Sequence, residues 1–459
     1  MPAAFLAASH SLQQLSLNIR PLQPYFLLLH MNLIADLQAR KLIQDIIPGT
    51  EEQLQKEMTA GYIGFDPTAD SLHVGSLLPI TLLMRLQRAG HKPVALVGGA
   101  TGMIGDPSGR SAERNMLSVE EINHNCDGIR RQLEKFLDFD PALPNAAEMV
   151  NNHDWFKDFS FLHFIRDAGR YLTVNYMLAK DSVQKRLETG MSFTEFSYQL
   201  IQGYDFYWLN TNKNIKLQMG GADQWGNITT GTELIRKMTG GSGEAFAFTC
   251  PLVTKSDGAK FGKSESGNIW LDAERTSPYA FYQFWMKLAD ADAARLAYIF
   301  SFKSVEEIAA LIATHEEAPH RRALQKALAE EMTMLVHGEA ELQFAQQASE
   351  ILFSNTAIEA LRRLNEKQLL EVMDGVPQAT GTRAALEDPE GMDLISFLAE
   401  RGVFSSKGEA RKMIQNGGLS INKEKVTDTA FALRPEHLLN DRYVLIQKGK
   451  GNYTLAVFA

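Results

Sequence analysis

Between residues 61 and 99 the chain alternates a short β-type run, a helical run and a second β-type run, an order that restricts the possible folds more than any other feature. The runs "GYIGFD" (61–66) and "KPVALVGG" (92–99) are typical of buried strands, and "VGSLLPITLLMRLQRAG" (74–90) repeats apolar residues at helical spacing. A strand, a helix and a strand at this spacing form a βαβ unit, which predicts a parallel sheet. "NIKLQMGG" (214–221) is a later strand of the same kind. We therefore predict an α/β fold.

The pattern along the rest of the 459 residues indicates further parts. Ala-, Leu- and Glu-rich helical runs follow the α/β part, then a stretch broken by Pro377, Gly381, Pro389 and Gly391, and finally two short helices with strands. A stretch with this many breakers is typical of a linker. The predicted parts are a disordered N-terminal extension (1–30), an α/β domain (31–255), a mobile loop (256–268), an α-helical domain (269–373), a linker (374–391) and a small α+β domain (392–459).

The composition excludes several classes of protein. A hydrophobic fraction of 45% and a charged fraction of 22% are those of an ordinary globular chain, and the net charge of −9 argues against wholesale non-specific binding to nucleic acid. The most apolar run, "YFLLL" at 25–29, is too short to span a membrane. Only Cys126 and Cys250 are present, which fits neither a disulfide framework nor a zinc cluster and favours a reducing compartment. We expect the protein in the cytoplasm.

The first 35 residues carry no acidic side chain, and Arg20 is their only Lys or Arg, whereas transit peptides are rich in arginine. The stretch from Met31 resembles the natural start of a protein. Residues 1–30 are therefore expected to be a dispensable tail or the product of an upstream start codon.

The stretch "SDGAKFGKSESG" (256–267) contains the letters GKS, with which a P-loop ends. A P-loop also requires a glycine five residues before Gly262, and that position is Asp257, whose carboxylate would repel phosphate. We therefore exclude a P-loop. The stretch predicts instead a flexible loop that presents two cations, Lys260 and Lys263, to an anion.

The segment "GFDPTADSLHVGS" (64–76) lies between the first predicted strand and its helix, at the end of the strand where α/β folds bind ligands. Amides at the start of a helix hold phosphate, Gly64 and Gly75 allow close approach of the backbone, and His73 adds a donor. Taken alone, the segment is equally well interpreted as a turn with a histidine at a helix start.

A second glycine-rich segment, "GGATGMIGDPSGR" (98–110), follows the next strand. The spacing of its glycines does not match the dinucleotide-binding pattern. Asp106 places a carboxylate beside the same crevice, where it would suit an ammonium group. The alternative interpretation is a tight glycine-rich turn without a ligand.

Tyr198, Gln202 and Asp205 are four and then three residues apart, which places them on one face of a helix. Spacing alone favours an ordinary helix whose polar residues face solvent. The neighbouring Tyr207 and Trp208 argue for burial of this segment. A buried carboxylate needs a hydrogen-bond donor, and the phenol of a substrate would be one.

Five segments together carry a resemblance to a known family. "YIGFDPTADSLHVGS", "GGATGMIGDPSG", "YQLIQGYDF", "GGADQWGN" and "KFGKS" occur in the order and spacing of bacterial tyrosyl-tRNA synthetases, class I enzymes with a "HIGH" motif and a "KMSKS" motif. The resemblance runs from about Met31 to Ala459. It implies a Rossmann-like parallel-sheet catalytic domain, the mobile KMSKS-type loop, an α-helical tRNA-binding domain and a small α+β RNA-binding domain.

The resemblance also implies the reaction and its participants. A tyrosine–tRNA ligase activates L-tyrosine with ATP to tyrosyl-adenylate and pyrophosphate, and then transfers tyrosine to the 3′ end of tRNA(Tyr). ATP is expected as a substrate with Mg²⁺, without a tightly bound cofactor and without metal-ligating residues of the protein. The expected assembly is a homodimer without a membrane partner.

Single residues receive roles through the same match. Tyr62 and Asp205 correspond to the pair that bonds the phenolic hydroxyl of tyrosine. The tyrosine-binding residues are Tyr62, Asp106, Tyr198, Gln202, Asp205 and Gln218. The ATP-binding residues are Gly64, Asp66, His73, Gly75, Ser76, Gly221, Asp223, Gln224 and Lys263. The catalytic residues are His73, Thr68, Lys260, Lys263 and Ser264.

One position departs from the family pattern. The second histidine of "HIGH" is Ser76 in this chain, which can donate a hydrogen bond to phosphate but cannot carry a charge. We expect His73 and the two lysines to take over that part of charge stabilisation.

The last part of the chain resembles a small RNA-binding fold. Residues 392–459 carry ten Lys or Arg against seven Asp or Glu, in a chain whose overall balance is acidic. The predicted tRNA-binding residues, Lys407, Arg411 and Lys412, fall on one short helix. A solvated helix face is the alternative interpretation of these charges.

Two other functions remain open at the level of the sequence. A tryptophanyl-type or other class I synthetase, or a small nucleotidyltransferase, shares the histidine-containing turn, although Asp205 with Tyr62 argues for a phenol. The chain could also be an RNA-binding protein that has kept the body of a synthetase without its activity, and Ser76 alone favours that interpretation.

Overall fold

The computed structural model describes residues 32–108, 116–187, 190–256, 258, 261–264, 267–353, 361–362, 364–373, 376–449 and 452–459. The chain forms two compact units: an N-terminal unit (residues up to Ser71 with Gly75–Val253) and a C-terminal unit (Leu72–Val74 with Thr254–Ala459). The predicted extension, residues 1–30, lies outside the described residues. None of the helices in the described ranges combines the length and apolar character that crossing a membrane requires.

The N-terminal unit is built on a six-stranded sheet. Its strands are β1 (Asp45–Ile46), β2 (Ala60–Phe65), β3 (Lys92–Val97), β4 (Glu148–Asn151), β5 (Ile215–Gly221) and β6 (Phe246–Cys250). They lie in the order β1-β6-β5-β2-β3-β4, and all neighbours are parallel except β1 and β6. The predicted parallel sheet is confirmed. Because the chain adds β3 and β4 on one side of β2, and later β5 and β6 on the other, the strand order reverses between β2 and β5, where such sheets bind ligands.

Helices cover this sheet. The helix predicted over residues 74–90 illustrates how the sequence determines where they begin, what they bury and where they end. It begins after a single 3-10 turn, Val74–Ser76, buries Leu78, Leu82 and Leu86, and ends at Gly90, whose φ of 87° suits glycine. The helices of the unit are α1 (Leu33–Ala39), α2 (Thr50–Lys56), α3 (Leu77–Arg88), α4 (Val119–Leu133), α5 (His153–Phe156), α6 (Phe161–Asp167), α7 (Val174–Leu178), α8 (Asp181–Leu187), α9 (Phe193–Lys213) and α10 (Trp225–Met238).

Helix α9 is the element that carries most of the predicted tyrosine-binding side chains. Ser192 caps its start by accepting a hydrogen bond from the backbone N–H of Glu195 at 3.1 Å. Two glycines bring α9 close to α10: a Cβ at Gly231 would lie 2.9 Å from the Cβ of Phe206, and one at Gly203 would lie 3.0 Å from Thr230. This close packing fixes the face that α9 turns toward the sheet.

The C-terminal unit begins with a two-stranded pair and a set of helices, as the sequence predicts for the region after residue 268. Phe281, Trp285 and Phe300 form a buried aromatic core among them. The pair is β7 (Lys263–Ser264) with β8 (Gly267–Asn268), and the helices are α11 (Pro278–Met286), α12 (Asp290–Phe300), α13 (Val305–Glu317), α14 (Ala323–His337), α15 (Glu339–Phe353) and α16 (Glu366–Val372).

A second sheet closes the C-terminal unit, in the order β12-β11-β14-β15-β9, beside a short β10-β13 pair. The two predicted helices form here as α18 and α19. The elements are β9 (Gln378–Gly381), α17 (Arg383–Leu386), β10 (Met392–Asp393), α18 (Leu394–Glu400), α19 (Lys407–Gln415), β11 (Leu419–Ile421), β12 (Glu424–Lys425), β13 (Ala432–Leu433), β14 (Tyr443–Lys448) and β15 (Asn452–Phe458).

The structure corrects the prediction that residues 374–391 are a linker. Within this range β9 pairs in parallel with β15 and so belongs to the C-terminal sheet. Pro377 and Gly381, which suggested a linker, stand at the two ends of an edge strand: their carbonyl oxygens accept hydrogen bonds from Leu455 and Ala459 at 2.9 and 3.2 Å. Proline is tolerated at such a position because an edge strand need not donate there.

Candidate active site

The predicted tyrosine-binding residues gather in the N-terminal unit around the point where the strand order reverses. β2 and β5 supply Tyr62 and Gln218, which are register partners on adjacent parallel strands and therefore project from the same face of the sheet. Both side chains are buried. The hydroxyl of Tyr62 and Oε1 of Gln218 find no hydrogen-bond partner among the described residues. Buried polar atoms are almost always bonded, so these two indicate a place where a ligand supplies the partner.

Asp205 is a buried carboxylate on α9, 2% exposed. It accepts hydrogen bonds from Nδ2 of Asn152 at 3.1 Å and from Nε1 of Trp155 at 2.9 Å. Burial raises the pKa of Asp205 to about 8, against the lowering effect of these two donors. Burial, and after it the charge of Asp205, raises the pKa of Tyr62 well above its usual value. A fixed carboxyl group therefore lies near a neutral buried phenol.

A continuous line of hydrogen bonds runs from this carboxylate to the end of β2. Asn152 Nδ2 also donates to Oγ1 of Thr101 at 3.1 Å, and that hydroxyl donates to Oδ1 of Asp66 at 2.8 Å. The hydroxyl of Tyr198 donates to the other oxygen of Asp66 at 2.9 Å. The network joins Asp66, predicted on the ATP side, to Tyr198 and Asp205, predicted on the tyrosine side.

A second polar cluster lies where α9 meets the start of α10. Gln224 Nε2 donates to Oδ2 of Asp106 at 2.6 Å, and Gln202 Nε2 donates to Oε1 of Gln224 at 3.3 Å. Asn227 Nδ2, in a residue that is 1% exposed, donates to Oε1 of Gln202 at 2.9 Å. The family resemblance assigns Gln224 to ATP, but its side chain hydrogen-bonds Asp106, Gln202 and Asn227, and the first two of these are residues that the resemblance assigns to tyrosine.

Asp223 follows β5 at the same edge of the sheet. Burial, and after it the charge of Asp106, raises the pKa of Asp223 above its usual value. A Cβ at Gly221 would lie 2.7 Å from Oδ1 of Asp223, so glycine is what allows the carboxylate to fold over the backbone.

The remaining predicted ATP-binding residues of this unit, with the predicted catalytic residue Thr68, lie from the end of β2 to the start of α3. Gly64 is exposed near the end of β2, and Thr68 is exposed with its backbone N–H bonded to the carbonyl of Asp66 at 2.9 Å. Gly75 and Ser76 stand in the 3-10 turn before α3, and the Ser76 side chain makes no capping hydrogen bond to the helix. The helix therefore begins without a side-chain cap on its amides, the arrangement that suits an anion.

His73, Lys263 and Ser264 belong to the C-terminal unit. Residues 72–74 pair with 269–271: the N–H of Val74 donates to the carbonyl of Ile269 at 2.8 Å, and the His73 ring lies 6.2 Å from that of Trp270. Lys263 and Ser264 form β7, although their side chains, like all of Lys260, lie outside the described part of the chain.

The predicted tRNA-binding residues all stand on α19. Arg411 and Lys412 are exposed. Lys407 donates to Oγ of Ser396 at 2.7 Å and lies 4.0 Å from a carboxylate oxygen of Glu400. Lys407 is thus already engaged with α18, whereas the other two extend from the surface.

Sequence reasoning missed Asn152, Trp155, Thr101 and Asn227. Asn152 and Trp155 could have been found from their position just after β4, at the edge of the sheet where the neighbouring strands also end. This signal could not be used without the strand order, which places β4 beside β3. Asn227 is the last letter of the segment "GGADQWGN".

Comparisons with known proteins agree with this geometry. A family described as tRNA synthetases class I (W and Y) matches residues 54–354, and a family described as the tyrosine–tRNA ligase SYY-like C-terminal domain matches residues 368–456. The chain is 57% identical to a tyrosine–tRNA ligase of Porphyromonas gingivalis over 432 residues, which are 93% of this chain and 100% of that protein. It is also 57% identical to one of Flavobacterium johnsoniae, over 92% of this chain and 98% of that protein.

Among solved structures, a C-terminally truncated mitochondrial tyrosyl-tRNA synthetase of Aspergillus nidulans superposes with a TM-score of 0.62 at 30% identity, covering 71% of this chain and 95% of that one. The second family begins at residue 368, ahead of β9, which agrees with the place of that strand in the C-terminal sheet. With its parallel sheet, its buried polar site and near full-length relatives of one kind, the chain belongs to the class I tRNA synthetases and, within them, to the tyrosine–tRNA ligases.

Proposed function

We propose that the chain charges tRNA with tyrosine in two steps at the site described above. First a carboxylate oxygen of tyrosine attacks the α-phosphorus of ATP, the bond from that phosphorus to its bridging oxygen breaks, and pyrophosphate leaves. Then a hydroxyl at the 3′ end of tRNA(Tyr) attacks the carbonyl carbon of tyrosyl-adenylate, and AMP leaves. Neither step needs a nucleophile from the protein, so its contribution is positioning and charge stabilisation. Tyrosine-dependent exchange of pyrophosphate into ATP tests the proposal.

The observation that carries the proposal is the buried hydroxyl of Tyr62 near the fixed carboxyl group of Asp205. A phenolic hydroxyl both donates and accepts, so it can bond both groups at once. In an apolar surrounding, the absence of that hydroxyl leaves buried polar atoms unpaired, which is costly. The two residues therefore select tyrosine.

The amino end of the substrate is assigned to Asp106, Tyr198 and Gln202. An ammonium group is a triple donor, and the carboxylate of Asp106 and the oxygen of Gln202 are acceptors within one bonded cluster. Tyr198 bonds Asp66, so a second carboxylate lies beside it. Gln224, whose amide bonds Asp106, supports this end of the site as well as the nucleotide.

ATP is assigned to the opposite part of the site. Gly75 and Ser76 directly precede α3, where helix amides favour phosphate, Gly64 and Thr68 are exposed at the end of β2 and in the loop after it, and Asp223 with Gly221 receives the ribose. His73, Lys260, Lys263 and Ser264 act on the phosphates. The described residues contain no group of three or more His, Cys, Asp or Glu that could hold a metal, so Mg²⁺ is proposed as part of the substrate MgATP, bound by phosphate oxygens.

Trp155→Phe is expected to weaken tyrosine binding by roughly 5- to 150-fold, because it removes the indole donor to Asp205 while retaining an aromatic ring; leaving a buried acceptor unsatisfied costs about 1–3 kcal/mol. Trp155 stacks on Trp208 at 4.3 Å between ring centroids. Trp208→Phe is the matched control, since it changes the same stack and leaves the bond to Asp205 intact. Equal tyrosine dissociation constants for the two variants would show that the bond to Asp205 is unimportant.

Arg411→Ala combined with Lys412→Ala is expected to raise the KM for tRNA and leave pyrophosphate exchange unchanged, because exposed cations bind the phosphates of nucleic acid. The slope of log affinity against log salt should fall by about 0.7–0.9 for each phosphate that the variant no longer neutralises. Arg131→Ala with Lys135→Ala, two exposed positions at the end of α4, is the control pair. An unchanged salt slope would remove α19 from the tRNA-binding surface.

A homodimer is supported by apolar side chains that the helices after β4 leave exposed. Phe161 is 64% exposed, Leu162 76%, Val174 62% and Phe193 65%. Exposed apolar groups of this size mark interaction surfaces. We assign them to contact with a second copy of the chain, so Leu162→Asp should shift sedimentation toward the mass of one chain, while a parent protein that sediments as a monomer would contradict the assignment.

A reducing compartment, the cytoplasm, is supported by the two cysteines. Cys126 and Cys250 are both free and buried. Burial raises the pKa of Cys126 to about 11 and that of Cys250 to about 12, so neither thiol is reactive at neutral pH.

A further inference from the structure

A buried carboxylate of the helical region binds the chain segment that leads into the two lysines. Asp292 on α12 is 5% exposed. Its Oδ1 accepts the backbone N–H of Ser256 at 2.8 Å, and its Oδ2 accepts the hydroxyl of the same serine at 3.1 Å. Both oxygens of a buried carboxylate are thus directed to one residue, four positions before Lys260.

Arg295, one turn further along α12, completes this arrangement. Its Nη2 donates to the carbonyl oxygen of Thr254 and lies 3.3 Å from Oδ1 of Asp292. The arginine supplies the positive charge that a buried carboxylate requires and binds the segment at a second point. We call Asp292, Arg295 and their hydrogen bonds to Thr254 and Ser256 the α12 clamp.

The same segment is anchored again beyond the clamp. Gly258, with a φ of +82°, closes a turn by donating its N–H to the carbonyl of Lys255 at 2.9 Å. Phe261 is 6% exposed, and its ring centroid lies 5.5 Å from those of Phe284 and Phe300. In the sequence, Lys260 lies between these two anchored points and Lys263 follows the second.

We propose that Asp292 is a positioning residue for tyrosine activation, which acts by fixing the start of the segment that carries Lys260 and Lys263. The inference rests on the proposed role of these lysines at the phosphates of ATP. The carboxylate acts through its two hydrogen bonds to Ser256, and its proposed role is to fix the start of this segment, not to contact the substrate. Catalysis by placed charges is sensitive to such support, since a misplacement of about 1 Å can cost roughly 100-fold in rate.

Single-turnover formation of tyrosyl-adenylate tests the proposal. Asp292→Ala is expected to lower its rate constant by about tenfold or more while the dissociation constant of tyrosine stays within about twofold. Asp292→Asn, which can still accept the Ser256 N–H, should have a smaller effect. Ser256→Ala removes one clamp bond at an exposed position, so it tests the clamp even where Asp292→Ala does not fold. Asp290→Asn is the control, because Asp290 starts the same helix but bonds Gln325.

A double-mutant cycle with Lys263→Ala separates positioning from general destabilisation. If Asp292 acts through the lysine segment, its replacement should change the rate less in the Lys263→Ala variant than in the parent, and by less than about twofold once both Lys260 and Lys263 are replaced by alanine. Full additivity of the two effects would overturn the proposal. It would also be overturned if Lys263→Ala slows the reaction while Asp292→Ala and Ser256→Ala leave the rate unchanged. If Lys263→Ala has no effect, the role of the lysines fails and the inference with it.

Discussion

Lys263→Ala is expected to slow formation of tyrosyl-adenylate by roughly 100-fold or more, while the dissociation constant of tyrosine changes by less than about twofold. Negative charge develops on the pyrophosphate only as it leaves, so a cation that meets this charge stabilises the transition state without contributing to the binding of the amino acid. The measurement is a single-turnover rate constant beside a binding titration with tyrosine.

Lys287→Ala serves as the control for Lys263→Ala. Lys287 is exposed at the end of α11, in the same unit and outside the lysine segment, so its replacement removes a positive charge without touching the proposed machinery. Parallel decreases in rate and tyrosine affinity in the Lys263 variant would contradict its assignment to the leaving pyrophosphate.

Asp205→Asn is expected to reduce the preference for tyrosine over phenylalanine, the second large effect. An unpaired buried hydroxyl or carboxyl costs about 1–3 kcal/mol, which corresponds to roughly a 5- to 150-fold decrease in kcat/KM for tyrosine. Tyrosyl-tRNA synthetases are themselves the standard example of rejecting a substrate that lacks a hydroxyl, so the expected change is weaker discrimination against phenylalanine. A variant that discriminates as the parent does would remove Asp205 from the phenol site.

The same substitution has a signature in pH. The pKa of Asp205 is about 8 in the folded chain, against 3.8 for an ordinary aspartate. Between these two values the folded state holds a proton that the unfolded state has released, so this group's contribution to stability falls as pH rises. Asparagine does not titrate. As the pH rises through that window, the free energy of unfolding of Asp205→Asn relative to that of the parent should therefore increase by up to about 1.4 kcal/mol per pH unit. Denaturant unfolding at several pH values measures it.

The elements that position the site were predictable because their periodicity is local. The strands β2, β3 and β5 and helix α3 follow from runs of apolar residues, and the common face of Tyr198 and Asp205 follows from helical spacing. The burial of Asp205 did not follow from spacing, which favoured a solvent-facing helix. The prediction that Asp205 is buried came from its aromatic neighbours and from the family resemblance.

What the sequence could not supply depends on contacts between distant segments. Asn152 and Trp155 meet Asp205 across 53 and 50 positions of sequence, and only the order of the strands brings them together. The prediction of a linker at residues 374–391 was wrong for a related reason. Pro377 and Gly381 stand at the two ends of a strand whose partner, β15, lies at the end of the chain. A local breaker signal cannot distinguish an edge strand from an extended connection.

The family comparisons decide between functions that the sequence left open. Relatives named tyrosine–tRNA ligase match almost the full length of the chain, which favours an active tyrosine enzyme over a tryptophanyl-type synthetase or an inactive RNA-binding protein. Ser76 in place of a motif histidine does not remove the rest of the site, since Asp66, Tyr198 and Asp205 remain joined in one network.

Exchange of pyrophosphate into ATP, measured separately with each of the twenty amino acids, tests the central claim most directly, because it asks at once whether the site activates an amino acid and whether a phenol decides which one. We predict exchange with tyrosine far above that with phenylalanine, tryptophan or any other amino acid. Exchange with tryptophan or phenylalanine equal to that with tyrosine, or no exchange with any amino acid, would contradict the account.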